Sequence, residues 1–209
     1  MGKHVSDISK AEITPLRELS ARIGRDPLLT QASTGNSSMK LDGVLWIKAS
    51  GKWMVDAIRE DILIPLDLAE VRERVKHGIE PAELYPTASI ETAMHAALPH
   101  RVVVHVHCVN TIAWAVRQDA QVQLGKQLDG LRWQWISYAP SGLPLAREIE
   151  KVLSVSADTD VLVLGNHGLV IGGDDCSVVE ELLSEVERRV ALRPRQVPTG
   201  QLRRTRGNC

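Results

Sequence analysis

The residues of this 209-residue chain best suited to chemistry are three histidines and a glutamate. His105 and His107 stand two apart in the run RVVVHVHCV (101–109), whose β-branched, apolar and uninterrupted character predicts a strand. Side chains two apart on a strand leave the same face, so both imidazoles can meet one tetrahedral ion, zinc by preference. Val104 and Val106 then point the other way, into a core. A third ligand must come from elsewhere, and His167 stands in the turn Asn166-His167-Gly168 between two apolar runs. Glycines on both sides of Asn166-His167 are expected to let the backbone take positive φ and turn a side chain sharply outward. Three protein ligands leave one position of the ion open, the arrangement of catalytic rather than structural zinc. Such an ion polarises a carbonyl and stabilises an enolate-like oxygen. The reaction also needs a base, a carboxylate whose pKa rises by burial. Glu91, in the segment just before the histidine strand, is the candidate. Each feature has a plainer reading as well. The histidine pair would sit in a core satisfied by backbone hydrogen bonds, and Glu91 would merely favour the positive end of a helix.

Two small polar stretches precede this set. Gly35-Asn36-Ser37-Ser38 and Ser50-Gly51 can present backbone N–H groups and hydroxyls to a phosphate. Ser89, at the start of an expected helix, would add a hydroxyl and the helix dipole. Read plainly, the same dipeptides are ordinary turns that bind nothing. His95 lies one helical turn after Glu91, where it either orients the carboxylate or packs. His4, His77 and His100 are read as surface or helix residues.

The elements that must position these side chains follow from periodicity and punctuation. A helix is expected over 11–24, closed by Gly24, with Leu16, Leu19 and Ile23 on one stripe. TGNSSMK (34–40) reads as turn-like, 44–47 as a strand, and Ser50-Gly51 as a tight turn. A short strand at 62–65 and a charged helix over 67–77 come next. The segment 89–98 reads as a helix with Ser89 as N-cap. Beyond the histidine strand, helices are expected at 112–116 and 142–153, and strands at 161–165 and 169–173. A final helix over 177–191 would carry Val178, Leu182, Val186 and Val190 on one face. Helices and strands mixed without a strict βαβ rhythm indicate an α/β/α or α+β sandwich around one sheet.

Length favours one domain, 1–192, followed by a basic tail, 193–209, with five arginines and no acid. So short a piece is read as a flexible, solvated end in preference to a nucleic-acid arm. Hydrophobic residues make up 44% and charged residues 24%, with a formal net charge of −1. Nothing global therefore recruits nucleic acid or an anionic membrane. No apolar run approaches the roughly 18 residues of a membrane span, and the N-terminus lacks a signal-peptide core, so a cytoplasmic protein is expected. Met1-Gly2-Lys3-His4-Val5-Ser6 matches the loose myristoylation pattern, a short motif that arises often by accident. Cys108, Cys176 and Cys209 show no paired or metal-like spacing and read as a reduced set.

Taken in order, TGNSSMK (34–40), KASG (48–51), SIETAMH (89–95), VVVHVHCVNTIA (102–113) and VLVLGNHGLVIGG (161–173) resemble the class II aldolase/adducin family. The resemblance runs from about residue 15 to residue 190. It implies a three-layer α/β/α fold around a mostly antiparallel sheet, and a homotetramer with active sites between subunits. It implies one Zn2+ per subunit on His105, His107 and His167, with Mn2+, Co2+ or Fe2+ as alternatives. Glu91 matches the family's base, and Gly35, Asn36, Ser50, Gly51 and Ser89 match its phosphate-binding loops. The implied activity is an aldehyde-lyase: retro-aldol cleavage of a small ketose or ketose phosphate through a metal-bound enediolate. A decarboxylase or dehydratase using the same enolate is the alternative, and a non-catalytic scaffold the more distant one. Related pentulose-phosphate epimerases usually carry Asp at the position of Glu91, and adducin-like members lack the histidine set. Two departures stand out. Ile90 replaces a second phosphate-binding serine of fuculose-phosphate-type aldolases, and no tyrosine follows Tyr138, where those enzymes place a catalytic one near the chain end. The wording is similar to an uncharacterised bacterial subgroup and to the aldolase half of bifunctional rhamnulose-phosphate aldolase/dehydrogenases.

Overall fold

The runs of β-branched and aliphatic residues become the sheet. In the computed structural model, which describes residues 11–193, the strands are β1 (Asn36–Leu41), β2 (Val44–Lys48), β3 (Leu63–Asp67), β4 (Val102–Val106), β5 (Trp133–Ile136), β6 (Val161–Leu164) and β7 (Gly168–Gly173). They form one sheet in the order β3-β2-β1-β4-β7-β6-β5. Every neighbouring pair is antiparallel except β5 and β6. The helices are α1 (Thr14–Ile23), α2 (Leu68–Lys76), α3 (Pro81–Leu84), α4 (Thr92–Ala97), α5 (Val109–Ala115), α6 (Ala120–Gln127), α7 (Leu143–Val155) and α8 (Cys176–Val190).

Because side chains alternate along a strand, the sheet has two apolar faces, and each is covered by helices. Val102, Val104 and Val106 pack with residues of α1, α6 and α8. On the other face Val103 and Val170 pack against α4 and α7, while Leu45 and Ile47 of β2 meet α2, α4 and α7. The expected three-layer α/β/α architecture with a mostly antiparallel sheet is therefore the observed one. Among the described residues no helix is long and apolar enough to cross a membrane.

Several local expectations are corrected. Residues 34–40 are not a turn: β1 starts at Asn36 and runs between β2 and β4. Its serines are buried because their hydroxyls find partners: Ser37 shares a 2.6 Å bond with Ser20, and Ser38 a 2.7 Å bond with His95 Nδ1. The helix expected over 89–98 begins only at Thr92, and Ser89 lies outside it. On α8 the buried face is Cys176, Val179, Leu183, Val186 and Val190, while Val178 is 45% exposed. Val186 and Val190 lie on that face as expected, but its first half runs through Val179 and Leu183, one position on from Val178 and Leu182; the Asp175 carboxylate caps the helix by accepting from Val178 N. Gly24 closes α1 without a left-handed turn; a Cβ there would lie 2.2 Å from Val55 N. The short edge strand β5 and the helices α3 and α6 were not among the expected elements. The myristoylation pattern, Cys209 and all of the basic tail after Arg193 lie outside the described residues.

Candidate metal centre

β4 and β7 pair in a register that sets His105 opposite Val170 and Val106 opposite Leu169. The end of β4 and the β6–β7 turn therefore stand side by side. His107 is not in the strand, which ends at Val106; it is the first residue beyond it. His167 immediately precedes β7. The three ring centroids lie 5.0, 4.9 and 5.2 Å apart, and one ligating atom from each ring falls within 4.8 Å of the others.

The turn achieves this differently from expectation. Positive φ occurs at Asn166 (52°) and at neither flanking glycine; asparagine tolerates that region better than most residues. The glycines serve close approach instead. A Cβ at Gly168 would lie 2.5 Å from Val106 O and 3.2 Å from His105 Cε1, and one at Gly165 would lie 2.9 Å from Trp135 Cζ2.

His105 is fully buried, and its Nδ1 lies 3.1 Å from Leu169 O. A carbonyl only accepts, so Nδ1 carries the proton of the neutral ring and Nε2 keeps its lone pair. That Nε2 is buried and makes no hydrogen bond. A buried imidazole nitrogen that makes no hydrogen bond, beside two further imidazoles and facing a carboxylate, is a donor set that suits a divalent cation.

Glu91 faces this cluster. Its Oε1 is 3.2 Å from His167 Nε2 and 3.4 Å from His105 Nε2. Asn36 Nδ2 donates to Oε2, and the Ser141 hydroxyl donates to Oε1 at 3.4 Å. Burial alone pushes the carboxyl up, as expected of a base, but His105 and His167 outweigh it and hold Glu91 below the usual carboxylate range. Burial draws His105 down, yet Glu91 reverses this and leaves it raised. His107 is lowered to about 4, by burial first and then by the other two imidazoles. His95 is fully buried and lowered to about 3, by burial and then by His105. It bonds Ser38 rather than Glu91, so it packs behind the cluster and does not hold the carboxylate. His100 pairs with Asp160 at the opposite end of β4, and His77 caps α2 at the surface.

A cavity of about 270 Å³ opens in front of the cluster. Gly35, Asn36, Ser50, Gly51, Ser89 and Glu91 line it together with His107 and His167. The two glycines adopt φ of +74° and +72°. A Cβ at Gly35 would lie 2.9 Å from His105 O, while Gly51 faces open space. Asn36 is engaged with Glu91, which the loop reading did not anticipate. Ser89 accepts from Glu91 N at 3.2 Å; standing three residues before the six-residue α4, it gains little from that helix's dipole. Ile90, 57% exposed, lies in the same wall. Besides Ile90, four lining residues were not singled out from the sequence: Ser33 and Thr34, just before Gly35, Ser141, in the loop after β5, and Lys48, the last residue of β2. A charged residue closing an apolar strand was the one signal for Lys48; Ser141 had none. A larger depression of about 540 Å³ runs along α8, lined by its solvated Glu, Ser and Arg side chains, and brings no catalytic groups together.

Residues 17–193 match the family model of the class II aldolase and adducin N-terminal domain. The chain belongs to the class II aldolase/adducin family. Solved structures of that family share its fold. The N-terminal class II aldolase domain of a conserved protein from Thermoplasma acidophilum superposes with a TM-score of 0.75 at 22% identity, covering 91% of this chain and 97% of that one. A sugar-phosphate aldolase from Thermotoga maritima gives 0.64 at 15% identity, covering 87% and 92%. L-Fuculose-1-phosphate aldolase from Thermus thermophilus gives 0.57 at 19% identity, covering 85% and 92%. In sequence, this class II aldolase family member is 27% identical over 201 residues to the uncharacterized oxidoreductase YuxG of Bacillus subtilis (strain 168). The match covers 83% of this chain but only 29% of that relative's length.

Proposed function

We propose that the protein is a metal-dependent aldehyde-lyase that cleaves a small ketose or ketose phosphate by a retro-aldol reaction. The observation that carries this reading is the convergence of His105, His107 and His167 on one point, with Glu91 against them at the head of a cavity. The three imidazoles would hold one divalent ion, zinc by ligand preference and Mn2+, Co2+ or Fe2+ as alternatives. When bound, that ion supplies a Lewis acid for the carbonyl and adjacent hydroxyl oxygens of the substrate. Leu169 O fixes the His105 ring so that Nε2 is the ligating atom. Asn36 and Ser141 hold the Glu91 carboxylate at the rim of the cavity. In cleavage the hydroxyl beyond the scissile C–C bond would lose its proton to solvent as its carbon becomes the aldehyde; the bonding electrons stay on the enediolate, and Glu91, after taking a proton from solvent, delivers it to the enediolate carbon. In synthesis Glu91 first removes that proton.

Gly35, Asn36, Ser50, Gly51 and Ser89 form the wall that would receive the far end of the substrate, a phosphate in the phosphorylated case. The substrate class follows the L-fuculose-1-phosphate and sugar-phosphate aldolases among the structural neighbours, an analogy of fold that the site's chemistry has to earn. The same reading makes the protein a cytoplasmic homotetramer, one domain ending near residue 192.

Metal content of the purified protein and a product screen test this directly. The screen sets ketose 1-phosphates against a β-keto acid, so that aldol cleavage and decarboxylation give different products. About one metal per chain and aldehyde release from a ketose are expected. In Glu91→Gln, solvent-proton exchange at the nucleophile carbon should vanish while zinc stays bound. Absence of stoichiometric metal would defeat the reading as a whole; full exchange in the variant would remove Glu91 as the base.

A further inference from the structure

His107 is the least supported of the three imidazoles. The ring of His105 is tied to Leu169 O, and His167 Nε2 faces Glu91 Oε1 at 3.2 Å. The ring of His107 touches the other two imidazoles and makes no hydrogen bond among the described residues. Its backbone has little more to hold it. The β4–β7 pairing ends at Val106 and Leu169, so His107 stands past the last rung, and its carbonyl accepts from Gln31 Nε2 at only 3.4 Å. Where this ring sits is therefore set by the next residue, Cys108, which is fully buried.

The Cys108 thiol is bonded on both sides. As the N-cap of α5, its sulfur accepts from Thr111 N at 3.4 Å and from Thr111 Oγ1 at 3.2 Å. Its single S–H donates to Glu187 Oε1 of α8 at 2.8 Å. Beyond it, Val109 N donates to Leu28 O at 2.8 Å. Glu187 is partly buried and forms no ion pair among the described residues; the charge that acts on it through space is Asp26, another acid. Such a pair is a poor device for stability, because burying a carboxylate is costly and a thiol is a weak donor. What it supplies is position: it fastens the residue beside a metal ligand to a helix 79 residues further along the chain.

We propose that Cys108 is a positioning residue for the metal centre, whose bond to Glu187 holds the exit of β4 so that His107 meets the ion carried by His105 and His167. This rests on the reading of the three histidines as metal ligands. A site of this kind has to be held within about 0.5 Å of its productive geometry, and His107 has no other side-chain tie to hold it there. A bond that merely fastens α8 to the sheet is the competing account. It predicts a loss of stability with no loss of metal affinity.

The experiment compares the full chain with Cys108→Ala, Cys108→Ser, Glu187→Ala and Glu187→Gln, each stripped of metal and reloaded. Zinc affinity is read by competition with a chelator at one fixed pH. The visible spectrum of the cobalt-loaded protein reports the ligand set, and a melt of the metal-free protein reports stability. Cys108→Ala and Glu187→Ala should each lose about 10–100-fold in zinc affinity, the usual effect of removing a group behind a metal ligand. The double alanine variant should lose no more than either single one, since both break the same bond. Cys108→Ser keeps a donor and Glu187→Gln an acceptor, so both should recover most of the affinity and return the cobalt bands toward the wild-type spectrum. Wild-type zinc affinity in both alanine variants overturns the proposal, whatever their melts show. So do additive losses in the double variant, or serine and glutamine variants as weak as the alanine ones. If Cys108→Ala does not fold, Glu187→Ala, partly exposed on α8, decides alone. A wild type that takes up no zinc defeats the metal-ligand reading too, whereas unaffected variants of a zinc-loaded protein defeat only this inference.

Discussion

His105 has one nitrogen committed to Leu169 O and one left over in a buried cluster, and this asymmetry governs how the site responds to pH. A metal takes the neutral imidazole, so protons compete with it. Burial pulls His105 down, but Glu91 outweighs burial and holds it above its ordinary value. Proton competition should therefore begin above about pH 6.5, with zinc affinity falling as the pH drops through that region. In Glu91→Gln burial remains, opposed only by the bond to Leu169 O, so His105 titrates lower and the fall should move to more acidic pH. Zinc titrations against a competing chelator, from about pH 8 down to about pH 5, read both profiles. A profile that does not move in the variant would contradict the coupling of the two groups. Asn36 offers a second test, since its amide holds Glu91 Oε2. Asn36→Ala should retain zinc and lose roughly 10–100-fold in kcat, the usual effect of removing a group that orients a site residue.

At the scale of elements, the site depends on how closely β7 can approach β4. Gly168 leaves no room for a methyl group, with Val106 O at 2.5 Å from the Cβ position. Gly168→Ala should push the two strands apart, cost about 1–3 kcal/mol, and weaken zinc binding by separating His167 from His105. Gly43→Ala is the matched control. Unlike Gly168 it sits at positive φ, 84°, and a Cβ there would meet nothing within 4 Å. It should cost about 1–2 kcal/mol through backbone strain alone and leave zinc affinity unchanged. Chemical denaturation gives the stabilities and metal titration the affinities. Equal loss of zinc in both variants would show that general destabilisation, and not strand separation, is responsible.

The whole molecule couples metal to stability, because the three imidazoles come together only in the folded chain: β4 and the β6–β7 turn are some sixty residues apart in sequence, at His105 and His167. A ligand that binds only the native state stabilises it by about 2.7 kcal/mol at ~100 times its Kd. For a chain of this size that is a rise of roughly 5–10 °C in Tm, reversed by a chelator and absent in His105→Ala. The proposed homotetramer predicts a light-scattering mass near four times the 23.0 kDa of one chain. A monomeric mass would refute that part of the reading.

The local signals in the sequence were those of period and punctuation. The valine-rich run around His105, the two apolar runs flanking His167 and the paired turn glycines already specified strands, parity and a tight turn, since alternation and steric allowance are properties of short segments. The mixed α/β layering followed from the same runs. What the sequence did not reveal depends on partners far along the chain. Ser37 and Ser38 look like turn residues until Ser20 and His95 satisfy their hydroxyls, and only then does β1 belong in the middle of the sheet. The ionisation of Glu91 reversed direction for a similar reason: burial is legible from neighbours in sequence, but two imidazoles brought in from β4 and the β6–β7 turn are not. Ser141 and Lys48 entered the cavity wall through packing alone. Hydrogen bonds and Coulomb interactions act over a few ångströms of space, and only the tertiary structure decides which side chains share those few ångströms.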